Sequence, residues 1–284
     1  MNELPYPQTQ SQIAEMLSKI DNRLLQCSER FIRQQVRRPI ESMLAMKEKY
    51  GSDKAEAEWL DIYSIYCANQ QLSEACNKLW TTVELANVTS KHVWKKSYMP
   101  IGELFSGTFS LGTLIPTLYY AEISSIISIL SSFGCVPVVV NGIPFYILRT
   151  QNGWIMVNRS EYVKNVLDIN ARSWHDRILG TYEGFVAKGV KLPNIPLSKV
   201  KTLKHLRNEM HYQILGDLRM WRMFKSTQAY QKHLPTAIQI VRVAISNLAK
   251  IKRLTTGCEK RLESLIENLS SAEWLSAESH KMIL

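Results

Sequence analysis

Arg207-Asn208-Glu209-Met210-His211 sets an arginine and a histidine four positions apart in a segment that reads as helix. At about 3.6 residues per turn, positions i and i+4 lie on one face, one above the other. A fixed, planar cation then stands beside a group that titrates near neutral pH. Such a pair can hold a phosphate and move a proton without a metal ion. In RNA cleavage the 2′-hydroxyl attacks the adjacent phosphorus. His211 could take or return the proton, Arg207 could grip the non-bridging oxygens, and Asn208 could orient phosphate or imidazole. The plainer alternative is an ordinary polar face, with Arg207 paired to Glu209 or Asp217 and His211 satisfied at an interface.

Basic residues surround this stretch. Lys201, Lys204 and His205 lie just upstream and could extend a phosphate track, or could simply be solvated. Arg219, Arg222 and Lys225 lie downstream, interleaved with Trp221 and Phe224, a mixture that suits single-stranded RNA, where bases stack and phosphates pair. Core packing is the competing role for the aromatics. Across residues 201–261 there are thirteen Lys or Arg against three Asp or Glu, a balance of +10 that equals the net charge of the whole chain. Charge gathered in one helical region points to a polyanion partner.

Other chemistries find no support. There is no P-loop, no dinucleotide-binding glycine fingerprint, no His-Glu-x-x-His and no Gly-x-Ser-x-Gly. The few acids near the basic helix do not make a two-metal centre, so no metal or cofactor is expected. Cys27, Cys67, Cys76, Cys135 and Cys258 are odd in number and widely spaced. That spacing fits free thiols in a reducing compartment, and hence a cytoplasmic protein. No signal peptide is visible at Met1-Asn2-Glu3-Leu4-Pro5.

The elements that must position these residues read as mainly α-helical. A helix is expected over about Ser11–Tyr50, broken or kinked at Pro39. A second should start at the Gly51-Ser52-Asp53 turn and run to about Ala86, with Trp59, Tyr63, Tyr66, Leu72, Leu79 and Trp80 on its apolar face. Residues 87–110, with Pro100, Gly102 and Gly107, read as irregular. A third helix should span about Leu111–Phe133, with Ser124, Ser128 and Ser131 as its polar relief. Ile123–Leu148 carries no charge, which raises a membrane-spanning alternative. Its serines, Gly134, Pro137, Gly142 and Pro144, and its change of period argue instead for a helix followed by strands. Val136–Val140, Pro144–Leu148 and Trp154–Val157 alternate with a period of two, joined at Asn141-Gly142 and Gln151-Asn152-Gly153. A small antiparallel meander inserted at about 136–158 of a helical bundle is therefore expected.

A short helix at 160–170 and a long connection over 171–197 should follow. Ser198 is the expected N-cap of the Arg207 helix, which continues to about Ala229 with an interruption near Gly216. Pro235 then separates a helix at 236–254, and Gly257 separates a last one at 258–270. The expected organisation is an N-terminal helical region at 1–100 and a helical domain with the β insertion at 101–284.

Two segments resemble the HEPN superfamily, small helical domains that include many metal-independent ribonucleases. Leu206-Arg207-Asn208-Glu209-Met210-His211-Tyr212 is similar to the family's arginine, polar residue and histidine motif. Leu118-Tyr119-Tyr120-Ala121-Glu122-Ile123 looks like the Tyr-Tyr-Ala helix start of several branches. Three residues separate Arg207 from His211, fewer than is usual in the family. The resemblance covers about 111–133 and 198–250. It implies a HEPN-like endoribonuclease or RNA-binding effector of the kind found in defence and toxin systems. It also implies a homodimer that pairs two copies of the site in one cleft, with a regulatory protein partner conceivable and a membrane not expected. The alternative is a helical nucleic-acid-binding or partner-binding protein without the chemistry.

Overall fold

Asp53–Thr89 forms one long helix, α1, within a residue of its expected start and three beyond its expected end. Tyr63, Leu72 and Leu79 on its apolar face are buried, and Tyr66 and Trp80 are half-buried. The computed structural model describes residues 4–5, 53–89, 101–140, 142–213, 220–249 and 252–283. The helix expected over Ser11–Tyr50 lies outside the described residues.

The second helix, α2, spans Ile101–Ser132. Residues 101–110 are thus helical, not irregular. Gly102 and Gly107 weaken a helix by only about 1 kcal/mol each. Ser124, Ser128 and Ser131, the polar relief of this helix, are all buried. Ser128 donates to the Ala68 carbonyl of α1 at 2.7 Å, and Ser64 of α1 donates to the Ser131 carbonyl. Small hydroxyl side chains let two helices approach closely while the Ser64 and Ser128 donors find backbone acceptors. Thr113–Ser132 is long and apolar enough to cross a membrane, but 83% of that window is buried inside the protein. Burial of this kind is that of a core helix.

The helix stops at the Phe133-Gly134 turn, and three strands follow. They are β1 (Cys135–Val140), β2 (Ile143–Thr150) and β3 (Gly153–Asn158), antiparallel in the order β1-β2-β3. Val138 faces Phe145 across β1–β2, and Phe145 faces Asn158 across β2–β3. Gly142 has φ 80°, the left-handed backbone that the Asn-Gly hairpin requires. The protein is therefore mainly α with a small inserted β-meander, as expected.

One face of this sheet, through Val136, Val138 and Ile147, packs with Leu60 and Tyr63 of α1. Arg149 and Trp154, an opposed pair on that face, both donate to Oδ1 of Asp61, at 3.1 and 3.0 Å. On the other face Tyr146 is fully buried, and its hydroxyl shares a 2.7 Å hydrogen bond with Thr181. A single helical turn, α3 (Arg159–Glu161), continues as a π-helical turn over Tyr162–Val166. Arg159 is buried, and its Nη2 donates to the carbonyls of Val138 and Phe145, at 3.1 and 3.2 Å. This locks α3 to an opposed pair of the meander.

The stretch at 171–197 is not a long connection. It contains a helix, α4 (Trp174–Ala187), started by a reciprocal capping box between Ser173 and Asp176. Gly180 and Gly184, which read as loop punctuation, are contact residues. A Cβ on Gly180 would lie 2.9 Å from Cγ2 of Ile169, and one on Gly184 would lie 2.8 Å from Cβ of Leu167. Glycines four apart on one helical face let neighbouring chain come against the helix backbone.

Helix α5 runs from Leu197 to Gln213, so Ser198 falls inside its first turn and is not its N-cap. The expected extension across Gly216 lies outside the described residues. Helix α6 (Met220–Leu248) passes straight through Pro235, which does not separate two helices. Proline cannot supply the amide hydrogen that residue 231 would accept. The Ser279 hydroxyl donates to the Gln231 carbonyl instead, at 3.0 Å. Gly257 likewise lies within α7 (Lys252–Ser270), where a side chain would meet open space. A final helix, α8 (Ala277–Ile283), had no expectation. Arg242 of α6 donates to its Ile283 carbonyl at 2.8 Å.

Two compact units are interleaved along the chain. One comprises Met1–Gln70, Ile127–Leu192 and Lys250–Arg253, and the other Gln71–Ile126, Pro193–Ala249 and Leu254–Leu284. The meander and α4 belong to the first. Helices α5 and α6 belong to the second, with the first part of α2 and the last part of α1.

Candidate functional site

Arg207 occupies an inward position of α5. Val200 and Leu203, which share its face at helical spacing, are fully buried. An arginine that follows two such residues must find polar or aromatic company, and Arg207 finds both on α2. Its Nη2 donates to the hydroxyl of Tyr120, and its Nη1 donates to Oδ1 of Asn208 at 2.8 Å. Its guanidinium carbon lies 5.3 Å from the ring centre of Tyr120 and 5.9 Å from that of Tyr119. Both rings present faces that attract a cation. The Nε atom is buried without a hydrogen-bond partner.

Among the described residues Arg207 has no carboxylate partner. Glu209, the nearest acid in sequence, is exposed and makes no ion pair with it. Lys78 of α1 lies over the same Tyr120 ring, 5.4 Å from its centre. Its ammonium pairs with Glu74 at 2.6 Å and donates to Ser124 Oγ at 3.3 Å. Two cations therefore share one tyrosine ring, and among the described residues only Lys78 has a carboxylate.

The remaining candidates spread along α5 and beyond. Lys201 and His205 are exposed, while Lys204 and Asn208 are half-buried. His211 belongs to α5, one turn beyond Arg207, but its side chain lies outside the description. Arg222 and Lys225 belong to α6, and their side chains are likewise outside it; Arg219 is outside the described residues. The structure thus joins Arg207, Asn208, Tyr119 and Tyr120. Sequence reading missed Lys78, whose one signal was an acid four positions earlier, the mark of an ordinary solvated pair.

Glu122, one turn past Tyr119 on α2, is fully buried with both carboxylate oxygens unpartnered. Burial pushes its carboxyl well above the usual carboxylate range. His233 on α6 is also buried, and its Nδ1 is unpartnered. Burial, with Lys232 and Lys199 nearby, pushes its imidazole down and keeps it neutral.

No protein-family model matches the chain, and neither a curated protein nor a solved structure does so.

Proposed function

We propose that the chain is a HEPN-like, metal-independent endoribonuclease that grips RNA phosphate at Arg207. What supports this reading is one observation: the two segments that carry the resemblance meet, with the Arg207 guanidinium seated on Tyr119 and Tyr120 and no acid among the described residues neutralising it. An arginine in a half-buried aromatic setting keeps its full charge for an external anion. The tyrosine hydroxyl and Asn208 hold the guanidinium plane in place, which reduces the entropy lost when an anion binds. Each Nη still carries one further hydrogen for a phosphate oxygen.

In this reading Arg207 stabilises the charge that builds on the non-bridging oxygens during attack by the 2′-hydroxyl. His211, one turn along α5, moves the proton. A single copy offers one histidine here, so a second copy of the chain supplies the partner acid or base. The basic run over 201–261 tracks the RNA backbone.

The test is cleavage of mixed RNA by the purified chain in excess EDTA, with product ends analysed. The reading requires 2′,3′-cyclic or derived phosphate ends, and loss of cleavage in His211→Ala with RNA binding retained.

A second reading has its own observation. Both Nη atoms of Arg207 already hold a partner and Nε is buried, which limits a two-pronged grip on phosphate. That favours a nucleic-acid-binding or partner-binding protein without chemistry. Wild-type protein that binds RNA and leaves it intact decides for this second reading.

A further inference from the structure

Arg207 is one of three cations joined by contacts across the second unit. Tyr120, to which Arg207 donates, also has the Lys78 ammonium 5.4 Å from its ring centre. Asn77, the residue before Lys78 on α1, accepts through Oδ1 from Nη1 of Arg261 on α7. The links therefore run from α5 to α2, on to the last part of α1, and from there to α7, all within one unit. Asn77 and Arg261 are exposed, while Lys78, Tyr120 and Arg207 are half-buried. The line is most open to water at α7 and most enclosed towards α5.

One acid answers these three charges among the described residues. Glu74 pairs with Lys78 at 2.6 Å, with its own side chain 47% exposed. A pair this open to water is weak, so an incoming anion replaces the carboxylate at little cost. Ser124 Oγ, 3.3 Å from the same ammonium, holds it near the Tyr120 ring when the carboxylate leaves. Arg261 is held in the same manner, by a neutral amide that leaves its charge intact.

We propose that single-stranded RNA crosses this unit with successive stretches of its backbone on Arg207, Lys78 and Arg261, one phosphate taking the place of Glu74. The path rests on the RNA reading and changes its direction. The basic residues Lys201, Lys204 and His205 lie along α5, whereas this line passes over four helices. Charges spread over four helices suit an anion whose charge repeats along a chain, which a lone phosphate does not offer. Two of the three cations are half-buried, and a flexible single strand can follow them where a rigid duplex cannot. Contacts of this kind set the register of the strand and carry no base preference.

The test uses the full chain and labelled oligouridine, titrated at several salt concentrations. Lys78→Gln and Arg261→Gln should each flatten the slope of log affinity against log salt by roughly 0.7–1, one phosphate contact apiece. Lys78→Arg should keep the wild-type slope, which separates charge from packing. Lys281→Gln removes an exposed charge on α8 and should leave the slope unchanged. Glu74→Gln should raise affinity by up to roughly fivefold. Photocrosslinking of thiouridine-substituted RNA to the unaltered chain needs no variant, and adducts are expected on the peptides that contain Lys78 and Arg261. If RNA binds with a slope that Arg207→Ala lowers and the Lys78 and Arg261 variants do not, and adducts are confined to α5, this path is overturned and the RNA reading stands. Wild-type protein that binds no RNA at low salt overturns both.

Discussion

Arg207 and Tyr120 stand 87 residues apart in sequence and meet through one hydrogen bond and one ring face. The hydroxyl sets the direction of the guanidinium, and the ring supplies a surface that does not cancel its charge. Tyr120→Phe separates these contributions. The ring remains, and the bond from a charged donor is lost, a contribution of about 1.5–3 kcal/mol in general. If Arg207 binds phosphate, RNA affinity at fixed salt should fall roughly tenfold or more, since 1.4 kcal/mol is a factor of ten. Unchanged affinity in a filter-binding titration would detach Tyr120 from the site.

Arg207→Lys keeps one positive charge and loses the planar fork. Counterion release depends on the number of phosphates neutralised, so the slope of log affinity against log salt should stay nearly constant. Affinity itself should drop at every salt concentration, and any cleavage should fall further. Arg207→Ala should instead lower the slope by about one unit. Identical slopes and affinities in all three proteins would mean that Arg207 touches no phosphate.

Much of this architecture is legible from residue pattern alone, and the exceptions share a cause. The meander could be read because alternation and an Asn-Gly turn agree at Val136–Val157. Helix α1 could be read because apolar residues recur over ten turns. Gly180, Gly184 and Pro235 misled because each is a punctuating residue placed inside a helix for a reason lying elsewhere in the fold, while Gly257 misled although its helix leaves open space there. Gly180 and Gly184 make room for Ile169 and Leu167. Pro235 is tolerated because Ser279, 44 positions later, replaces the missing donor. In the candidate site, residue types were visible but partners were not. Nothing local to Arg207 indicates that tyrosines, and not Glu209, would receive it.

Gly184→Ala tests that close approach. A methyl group at 2.8 Å from the Leu167 Cβ cannot be accommodated without moving backbone or the Leu167 side chain. Overpacking of this kind costs about 1–3 kcal/mol. In an exposed, open helix the same change would stabilise by up to about 1 kcal/mol, and Gly257→Ala in α7 is the matched control. Urea unfolding midpoints should therefore move in opposite directions for the two variants. Parallel shifts would show that α4 is not held against Leu167.

Glu122 makes stability depend on pH with a definite sign. Its folded-state pKa is raised, so the folded protein holds a proton that the unfolded chain releases above the ordinary carboxylate range. Stability from this group is full at acid pH and declines as pH rises past that range towards the folded value. Glu122→Met removes the unpartnered carboxyl at similar volume. It should stabilise the protein at pH 8 by about 1–3 kcal/mol, the general cost of an unsatisfied buried polar group. The gain should shrink as the pH approaches 4. A destabilised Glu122→Met at pH 8 would mean that the carboxyl has a partner in solution.

The bond from Ser279 to the Gln231 carbonyl is the clearest case of one element repairing another, and a double-mutant cycle can isolate it. Ser279→Ala leaves that carbonyl without its donor and should cost about 1–2 kcal/mol. Pro235→Ala restores an amide hydrogen at the position from which a helix would normally serve residue 231. In that background the Ser279 hydroxyl competes with a helical bond, so Ser279→Ala should cost distinctly less. The coupling energy should lie in the range of about 0.5–3 kcal/mol found for side chains in direct contact. Chemical denaturation of the four proteins, read by far-ultraviolet circular dichroism, gives all the terms. Additive effects would show that the helix bends away at Pro235 and that Ser279 serves only Ser276, whose hydroxyl donates to it at 2.9 Å.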